Sequence, residues 1–204
     1  PGEEHQSPQS SRAMLPIAEA LATDFTVITP DTPGFGLSDP LELDEPAIAD
    51  LSLALHEVVT ALDLERFALF GQHTGGLIAL DYASRHPGRV CALVVDGLAA
   101  FDEDESAFIL ASYLTPLVPR WDGSHLTWLW ARLREQLVFF PWHDRRASAR
   151  MHFSMPPPAA LHSGVIDFLE AGDDYRAGYG AAFRYRETDR LASLAMPAAI
   201  LFRA

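Results

Sequence analysis

A single histidine stands between two glycines in the segment 71–75, whose sequence is Gly-Gln-His-Thr-Gly. The short apolar run 67–70 before it predicts a buried strand, and the apolar spacing after it predicts a helix. Gly71 and Gly75 would remove Cβ atoms that collide in a tight strand-to-helix turn. Histidine is among the residues that tolerate the positive φ of such a turn. The segment therefore predicts that His73 is held on a sharp turn in front of a helix.

An imidazole at this position could act as a nucleophile or as a general base. The N-terminus of a helix disfavours the imidazolium cation, so we expect neutral imidazole at His73. Neutral imidazole is the form required of a nucleophile and also of a general base. A glycine pattern of five residues is weak by itself, and the alternative is an ordinary turn between a strand and a helix.

The elements that must position His73 follow from the hydrophobic pattern. Apolar runs at 25–29, 67–70, 90–95 and 198–202 predict strands, and the segments between the first three have helical spacing. Alternation of strand and helix favours a parallel sheet that is covered on both faces. The fold class is therefore predicted to be α/β, with a mostly parallel sheet.

The segment 101–188 differs from the rest of the chain. It has helical patterns, no convincing strand, and all four tryptophans. A helical insertion between two parallel strands is expected to form a lid over their carboxyl ends, where ligands bind. We expect a core at 1–100, a lid at 101–188 and a return to the core sheet at 189–204. Trp121 and Trp130 in the lid could line an apolar substrate cleft or simply pack the lid.

An ordered set of motifs gives the chain a family resemblance. The segment 31–39 has the pattern D-x-P-G-x-G-x-S-D after a predicted strand, and 71–75 has the spacing of a G-x-S-x-G nucleophile elbow. The segments 75–90 and 189–204 are similar to the elbow helix and to the return from the lid. Together these motifs resemble the α/β-hydrolases of the epoxide hydrolase and haloalkane dehalogenase type over nearly the whole chain.

The resemblance implies a fold and a set of site residues. His73 occupies the nucleophile position, where the family has Ser, Asp or Cys. The backbone N–H of Thr74 corresponds to an oxyanion donor, and Gln72 is placed beside it as a contact to the oxyanion or substrate. Asp96 lies where some members keep an alternative catalytic acid, although a turn or helix-capping aspartate is the other interpretation. The resemblance implies a structural role for Asp31.

Other parts of the family pattern are expected outside this sequence. The usual acid loop and the usual catalytic histidine would follow residue 204. The oxyanion loop, often H-G-x-P-G, would end at Pro1 and Gly2. Because the chain starts without Met and stops within a strand-like run, we expect it to be a fragment.

Composition excludes several classes of function. The formal net charge of −13 argues against nucleic acid and against an anionic membrane surface, because both attract basic patches. No apolar run approaches the ~20 residues of a membrane helix. A lone cysteine, Cys91, forms no internal disulfide, and we expect a cytoplasmic protein. No motif has metal-ligand or nucleotide-binding spacing, so we expect no metal and no cofactor.

Two functions remain open. The first is a hydrolase that acts on the ester, epoxide or C–C bond of a small, largely apolar substrate. The second is a catalytically inactive protein that binds a small molecule on the same fold. Fold alone does not choose between them.

Overall fold

The computed structural model describes residues 10–98, 101–151, 155, 157–186 and 188–201. The chain divides into two compact units, each built from segments that are distant in the sequence. The helical unit comprises Pro1–Asp39 and Ile109–Arg176, and the sheet unit comprises Pro40–Phe108 and Ala177–Ala204. The predicted division at residues 100 and 188, and the role of the middle segment as a lid, stay predictions.

A parallel sheet of three strands forms the centre of the sheet unit. Its order is β1 (Phe67–Gln72), β2 (Val90–Asp96) and β3 (Ala198–Leu201). All neighbouring strands run parallel. The register places Gln72 opposite Asp96, so β1 and β2 end at the same edge of the sheet. The predicted parallel pairing of these three strands is confirmed, except at residue 202, which lies outside the described residues.

Seven α-helices occur in the described residues. They are α1 (Leu15–Leu21), α2 (Ile48–Ala61), α3 (Thr74–Arg85), α4 (Glu103–Ser112), α5 (Ser124–Gln136), α6 (Pro158–Ala171) and α7 (Tyr175–Arg184). Short 3₁₀ turns accompany them. Within the described part of 101–188, β-pairing is limited to one isolated bridge between Phe139 and Arg150. The prediction that this segment is mainly helical is confirmed. No helix in the described ranges is both long and apolar enough to cross a membrane.

Local sequence explains where several helices begin and end. The backbone N–H of Ala47 donates to the Asp50 carboxylate at 2.8 Å, which satisfies one donor at the start of α2. Pro158 occupies the first position of α6, where a missing N–H costs nothing. Gly172 ends the same helix at a φ of 58°, a conformation that favours glycine.

Helix α3 is the central element of the sheet unit. Residues 76–83 of α3 are buried, because the helix has apolar residues on almost all of its faces. Leu80 and Tyr82 pack in one core cluster with Leu93 and Val95 of β2. A second core cluster joins α3 to α2 and α7 and contains Ile48, Leu51, Leu77, Ile78 and Ala181. The helix that follows His73 is therefore anchored on several sides.

The predicted strand at 25–29 is wrong. These residues form a bend and irregular structure after α1, and the N–H of Phe25 donates back to the carbonyl of Leu21. Phe25 and Ile28 are 60% and 46% exposed, respectively. A strand requires a neighbouring strand for its ladder hydrogen bonds, and this run pairs with none in the described structure. Its apolar composition was therefore not sufficient to predict a strand.

Candidate active site

His73 occupies a sharp turn between β1 and α3. Its φ of 49° and ψ of −115° confirm the positive φ expected from the sequence. The backbone N–H of His73 donates to the carbonyl of Asp96 at 2.9 Å, and its carbonyl accepts from the N–H of Leu77 at 3.2 Å. The turn is thus tied to the end of β2 on one side and to α3 on the other. These two bonds hold the backbone in an unfavourable conformation.

Glycines permit this close crossing of strand and helix. A Cβ atom on Gly71 would lie 2.2 Å from the carbonyl oxygen of Gly75. A Cβ atom on Gly76 would lie 2.8 Å from Cγ1 of Val95. On Gly75 it would meet no described atom within 4 Å. The predicted role is therefore confirmed for Gly71 but wrong for Gly75, because Gly76 is the residue that faces β2.

The imidazole of His73 packs against a third glycine. Gly97 follows β2 directly with a φ of 73°. A Cβ atom there would lie 2.6 Å from both Cε1 and Nδ1 of His73. Sequence reasoning did not assign Gly97 to the site. The available signal was the pair Asp96-Gly97 at a strand end, but only the parallel register shows that this strand end is the neighbour of His73.

Asp96 and Gln72 lie beside each other at the same edge of the sheet. They are register partners on β2 and β1, and Nε2 of Gln72 donates to Oδ2 of Asp96 at 3.1 Å. The structure therefore brings His73, Gln72 and Asp96 to one place. The amide of Gln72 thus contacts the Asp96 carboxylate, and its predicted contact to an oxyanion or substrate stays a prediction.

Thr74 is the first residue of α3. Helix geometry provides no intrahelical acceptor for the N–H groups of the first turn, and such groups readily bind an anion. The N–H of Thr74 is therefore suited to stabilise a developing negative charge next to His73. Its assignment as an oxyanion donor stays a prediction.

The two tryptophans predicted to contact substrate belong to the helical unit. Trp121 precedes α5 and is fully exposed, whereas Trp130 lies on α5 and is 36% exposed. Neither side chain is part of the buried core of that unit. Their assignment to a substrate cleft stays a prediction.

Asp31 has a structural role in the helical unit. Its carboxylate accepts hydrogen bonds from the backbone N–H groups of Ser11 at 2.6 Å and Leu37 at 3.0 Å. Burial raises the pKa of Asp31, but these backbone hydrogen bonds outweigh it and leave the pKa below its ordinary value. A Cβ atom on Gly36 would lie 2.4 Å from Cγ of Asp31. The D-x-P-G-x-G pattern thus forms a loop closed around the carboxylate.

The described residues contain no cluster of side chains suited to bind a metal ion. Among them, no group of three or more His, Cys, Asp or Glu side chains could hold a metal ion. His73 and Asp96 are of residue types that serve in nucleophilic or general acid–base catalysis in other proteins.

A family profile described as "alpha/beta hydrolase fold" matches residues 4–129. The putative carbamate hydrolase RutD of Agrobacterium fabrum is 38% identical over 86 residues, which cover 42% of this chain and 33% of that protein. The pimeloyl-[acyl-carrier protein] methyl ester esterase of Chromobacterium violaceum is 42% identical over 80 residues, which cover 39% of this chain and 29% of the esterase.

A solved structure extends the likeness to almost the whole chain. Epoxide hydrolase A from Mycobacterium thermoresistibile superimposes with a TM-score of 0.67 at 18% identity, covering 95% of this chain and 71% of that one. At this identity the likeness shows the fold. The sequence matches to the two curated relatives span only about a third of their length.

Proposed function

Because this chain belongs to the α/β-hydrolase fold family, we propose that the protein is a hydrolase in which His73 is the catalytic group. The substrate is a small, largely apolar molecule with an ester, epoxide or C–C bond to cleave. The observation that carries the proposal is the strained turn at His73, whose φ is 49° at the junction of β1 and α3. Strained backbone of this kind clusters at functional sites.

The names of similar proteins support a hydrolase. The two curated relatives are named as a carbamate hydrolase and a methyl ester esterase. The structural neighbour is named as an epoxide hydrolase. They differ in the bond that they cleave, so they support hydrolysis as a class of reaction and leave the bond to experiment.

His73 could act on an ester in either of two ways. As a nucleophile, an imidazole nitrogen attacks the carbonyl carbon and the alkoxide leaves and takes a proton from water. The hydroxide so formed removes the N–H proton of the acyl-imidazolium, and water then hydrolyses the acyl-imidazole. As a general base, His73 accepts a proton from a water molecule whose oxygen attacks the same carbon. The Thr74 N–H would stabilise the oxyanion in both routes.

Asp96 and Gln72 would support this chemistry. The Gln72 amide holds the Asp96 carboxylate at 3.1 Å, and the Asp96 carbonyl holds the His73 backbone at 2.9 Å. A carboxylate close to the His73 ring would favour the imidazolium that forms when His73 accepts a proton. We assign Asp96 as the acid that stabilises the charge on His73.

The alternative function is that of a small-molecule-binding protein without catalysis. It is favoured by one specific observation, the histidine at a position where family members have Ser, Asp or Cys. Under both functions His73 would contact the ligand, so a binding measurement alone does not separate them.

The test compares wild type with His73→Ala and His162→Ala. Surface histidines also hydrolyse activated esters slowly, and His162 is an exposed histidine on α6 that controls for this background. With p-nitrophenyl butyrate and styrene oxide as substrates, His73→Ala should lose at least about 100-fold in rate, the usual contribution of a positioned acid–base group. His162→Ala should keep the rate of wild type.

Equal rates for wild type and His73→Ala on both substrates would reject catalysis by His73 and leave the binding protein. Circular dichroism must show that the variant is folded. A burst of p-nitrophenol and an acylated His73 peptide after acid quench would identify the nucleophilic route. Single-phase kinetics without acylation would identify the general base.

We further propose a cytoplasmic location and a small molecule as the partner. The net charge of −13 supports the exclusion of nucleic acid, because no excess of basic residues is available to bind phosphates. The single cysteine, Cys91, supports a reducing compartment.

A further inference from the structure

Gly97 lies directly against the imidazole of His73. It follows β2 with a φ of 73°, a conformation that favours glycine. A Cβ atom at position 97 would lie 2.6 Å from Cε1 and Nδ1 of His73 and 3.6 Å from its Cγ. The Nδ1–Cε1 edge of the ring therefore occupies the space that a side chain at position 97 would take.

Hydrogen bonds on two sides fix the backbone at this strand end. The N–H of Gly97 donates to the carbonyl of Leu201 in β3 at 3.0 Å. The carbonyl of Asp96 accepts from the N–H of His73 at 2.9 Å. A shift of the backbone at 96–97 would strain both hydrogen bonds, and each lost bond costs free energy. An added side chain at position 97 would therefore displace the ring of His73 rather than the strand.

Gly71 and Gly97 differ in what their missing side chains leave room for. The atom closest to a Cβ on Gly71 is the backbone oxygen of Gly75, so a side chain there would force strand and helix apart. The atoms closest to a Cβ on Gly97 belong to the end of a side chain, which can rotate about χ1 and χ2. A substitution of Gly97 is therefore expected to act on the position of the ring more than on the fold.

The expected displacement of the ring is large on the scale of a catalytic geometry. Ordinary van der Waals contact between a Cβ atom and a neighbouring heavy atom lies at 3.4–4 Å. The ring would have to retreat by about 1 Å from its distance of 2.6 Å. A misplacement of about 1 Å can reduce a rate by about 100-fold, because the reacting atoms must meet at a set distance and angle.

We propose that Gly97 is a positioning residue for His73. Because it has no side chain, it lets the imidazole lie against the end of β2, in the orientation in which the ring meets its substrate. Gly97 acts through His73 and does not itself take part in the reaction. The kinetic part of this proposal rests on the function proposed for His73, whereas the position of the ring can be measured without any reaction.

Gly97→Ala and Gly123→Ala form a matched pair of variants. Gly123 has a φ of 71°, close to the 73° of Gly97, but a Cβ atom there would meet no described atom within 4 Å. Both variants place alanine in an unfavourable backbone conformation, and only Gly97→Ala also displaces His73. Gly97→Asn is the second test in case Gly97→Ala does not fold, because asparagine tolerates a positive φ and still carries a Cβ atom.

Kinetics with p-nitrophenyl butyrate test the effect on the reaction. Gly97→Ala should lower kcat by about 100-fold and leave KM near that of wild type, the pattern of a group that is misplaced for the transition state alone. Gly97→Asn should show the same loss, and Gly123→Ala should keep the kcat of wild type. An unchanged kcat in folded Gly97→Ala or Gly97→Asn would overturn the proposal.

Nuclear magnetic resonance reports the position of the ring directly. The chain has eight histidines. With ¹³C at Cε1 each of them gives a signal, and His73→Ala identifies the signal of His73 by its loss. In wild type this signal should show a nuclear Overhauser contact to the α-protons of Gly97. Gly97→Ala should move the signal, and Gly123→Ala should leave it in place. A fall in kcat without a moved signal would overturn the proposal, since the loss would not act through the ring.

The two measurements separate this proposal from the catalytic role of His73. If wild type reacts no faster than His73→Ala, catalysis by His73 is rejected. The Overhauser contact and the moved signal would then still support Gly97 as the residue that positions the ring for a bound ligand. Absence of the Overhauser contact in wild type would overturn the proposal even if His73 proves to be catalytic.

Discussion

The turn at His73 and the cluster around Arg132 each contain a group in an energetically unfavourable state, but the cause of the unfavourable free energy differs. At His73 it is backbone strain, and the residues that permit it lie at 71, 76 and 97. At Arg132 it is a buried charge, and the rings that surround it come from positions 113, 142, 168 and 175. The turn at His73 depends mostly on residues near it in the sequence, and the cluster around Arg132 depends on tertiary packing.

This difference bears on what a sequence reveals. A strained turn needs glycines at set offsets, because only the lack of Cβ atoms lets strand and helix approach. A buried cation needs aromatic faces from any part of the chain, because dispersion and cation–π attraction depend on position in space and not on spacing in sequence. The turn at His73 was therefore predictable from the sequence except for the roles of Gly76 and Gly97, and the cluster around Arg132 was not predictable.

The largest expected effect is on the tight crossing at the His73 turn. Gly71→Ala places a methyl group 2.2 Å from the backbone oxygen of Gly75, so the crossing must open. We expect a loss of about 3 kcal/mol in the free energy of unfolding, at the upper end for overpacking because backbone must move. Urea unfolding followed by circular dichroism measures it.

Gly75→Ala is the matched control for this change. Its new methyl group would meet no described atom within 4 Å, and alanine is the better helix former by up to about 1 kcal/mol. We expect no loss of stability. If the two alanine variants lost equal stability, the crossing would not depend on Gly71 as described.

The second effect concerns the aromatic surroundings of Arg132. Phe168 has the ring closest to the guanidinium, at 4.7 Å, and is fully buried. Phe168→Leu keeps an apolar side chain but removes the aromatic face. In a double-mutant cycle with Arg132→Met, we expect a coupling of about 1–2 kcal/mol. Additivity within about 0.5 kcal/mol would show that Phe168 stabilises the unit by packing alone.

The smallest expected effect is a difference in stability between two substitutions at His73, and its sign shows whether the backbone there is strained. Glycine adopts a positive φ without steric cost, whereas alanine keeps the strain of the histidine. We expect His73→Gly to be more stable than His73→Ala by about 1 kcal/mol, measured by urea unfolding. At an ordinary helical or extended position the order reverses, because glycine is destabilising by about 0.5–1 kcal/mol relative to alanine. The reversed order would therefore contradict a strained turn.

Much of the sheet unit could be predicted from residue patterns. The runs at 67–70, 90–95 and 198–202 predicted the strands β1, β2 and β3, because continuous apolar segments between turn residues are typical of buried parallel strands. The same pattern was wrong at 25–29. Apolar character is necessary for a buried strand, but hydrogen bonding to a neighbour decides whether the strand forms.

The sequence predicted which residues form the candidate site better than it predicted the contacts among them. His73 and its positive φ followed from the flanking glycines. The pairing of Gln72 with Asp96, and the packing of the His73 ring on Gly97, depend on the parallel register between β1 and β2. Register arises from the packing of both strands against α3 and from their ladder of hydrogen bonds, which no local motif encodes.

The sequence by itself determined the order of strands and helices in the sheet unit, the sharp turn at His73 and the family resemblance, because these follow from hydrophobic period and glycine spacing. Only the tertiary structure decided that Gly76 rather than Gly75 faces β2, that Asp96 meets Gln72, and that Arg132 is enclosed by rings. Each of these depends on groups brought together across many residues of chain. Contacts of that kind are selected by close packing and by the cost of burying polar atoms, and both are properties of the folded molecule.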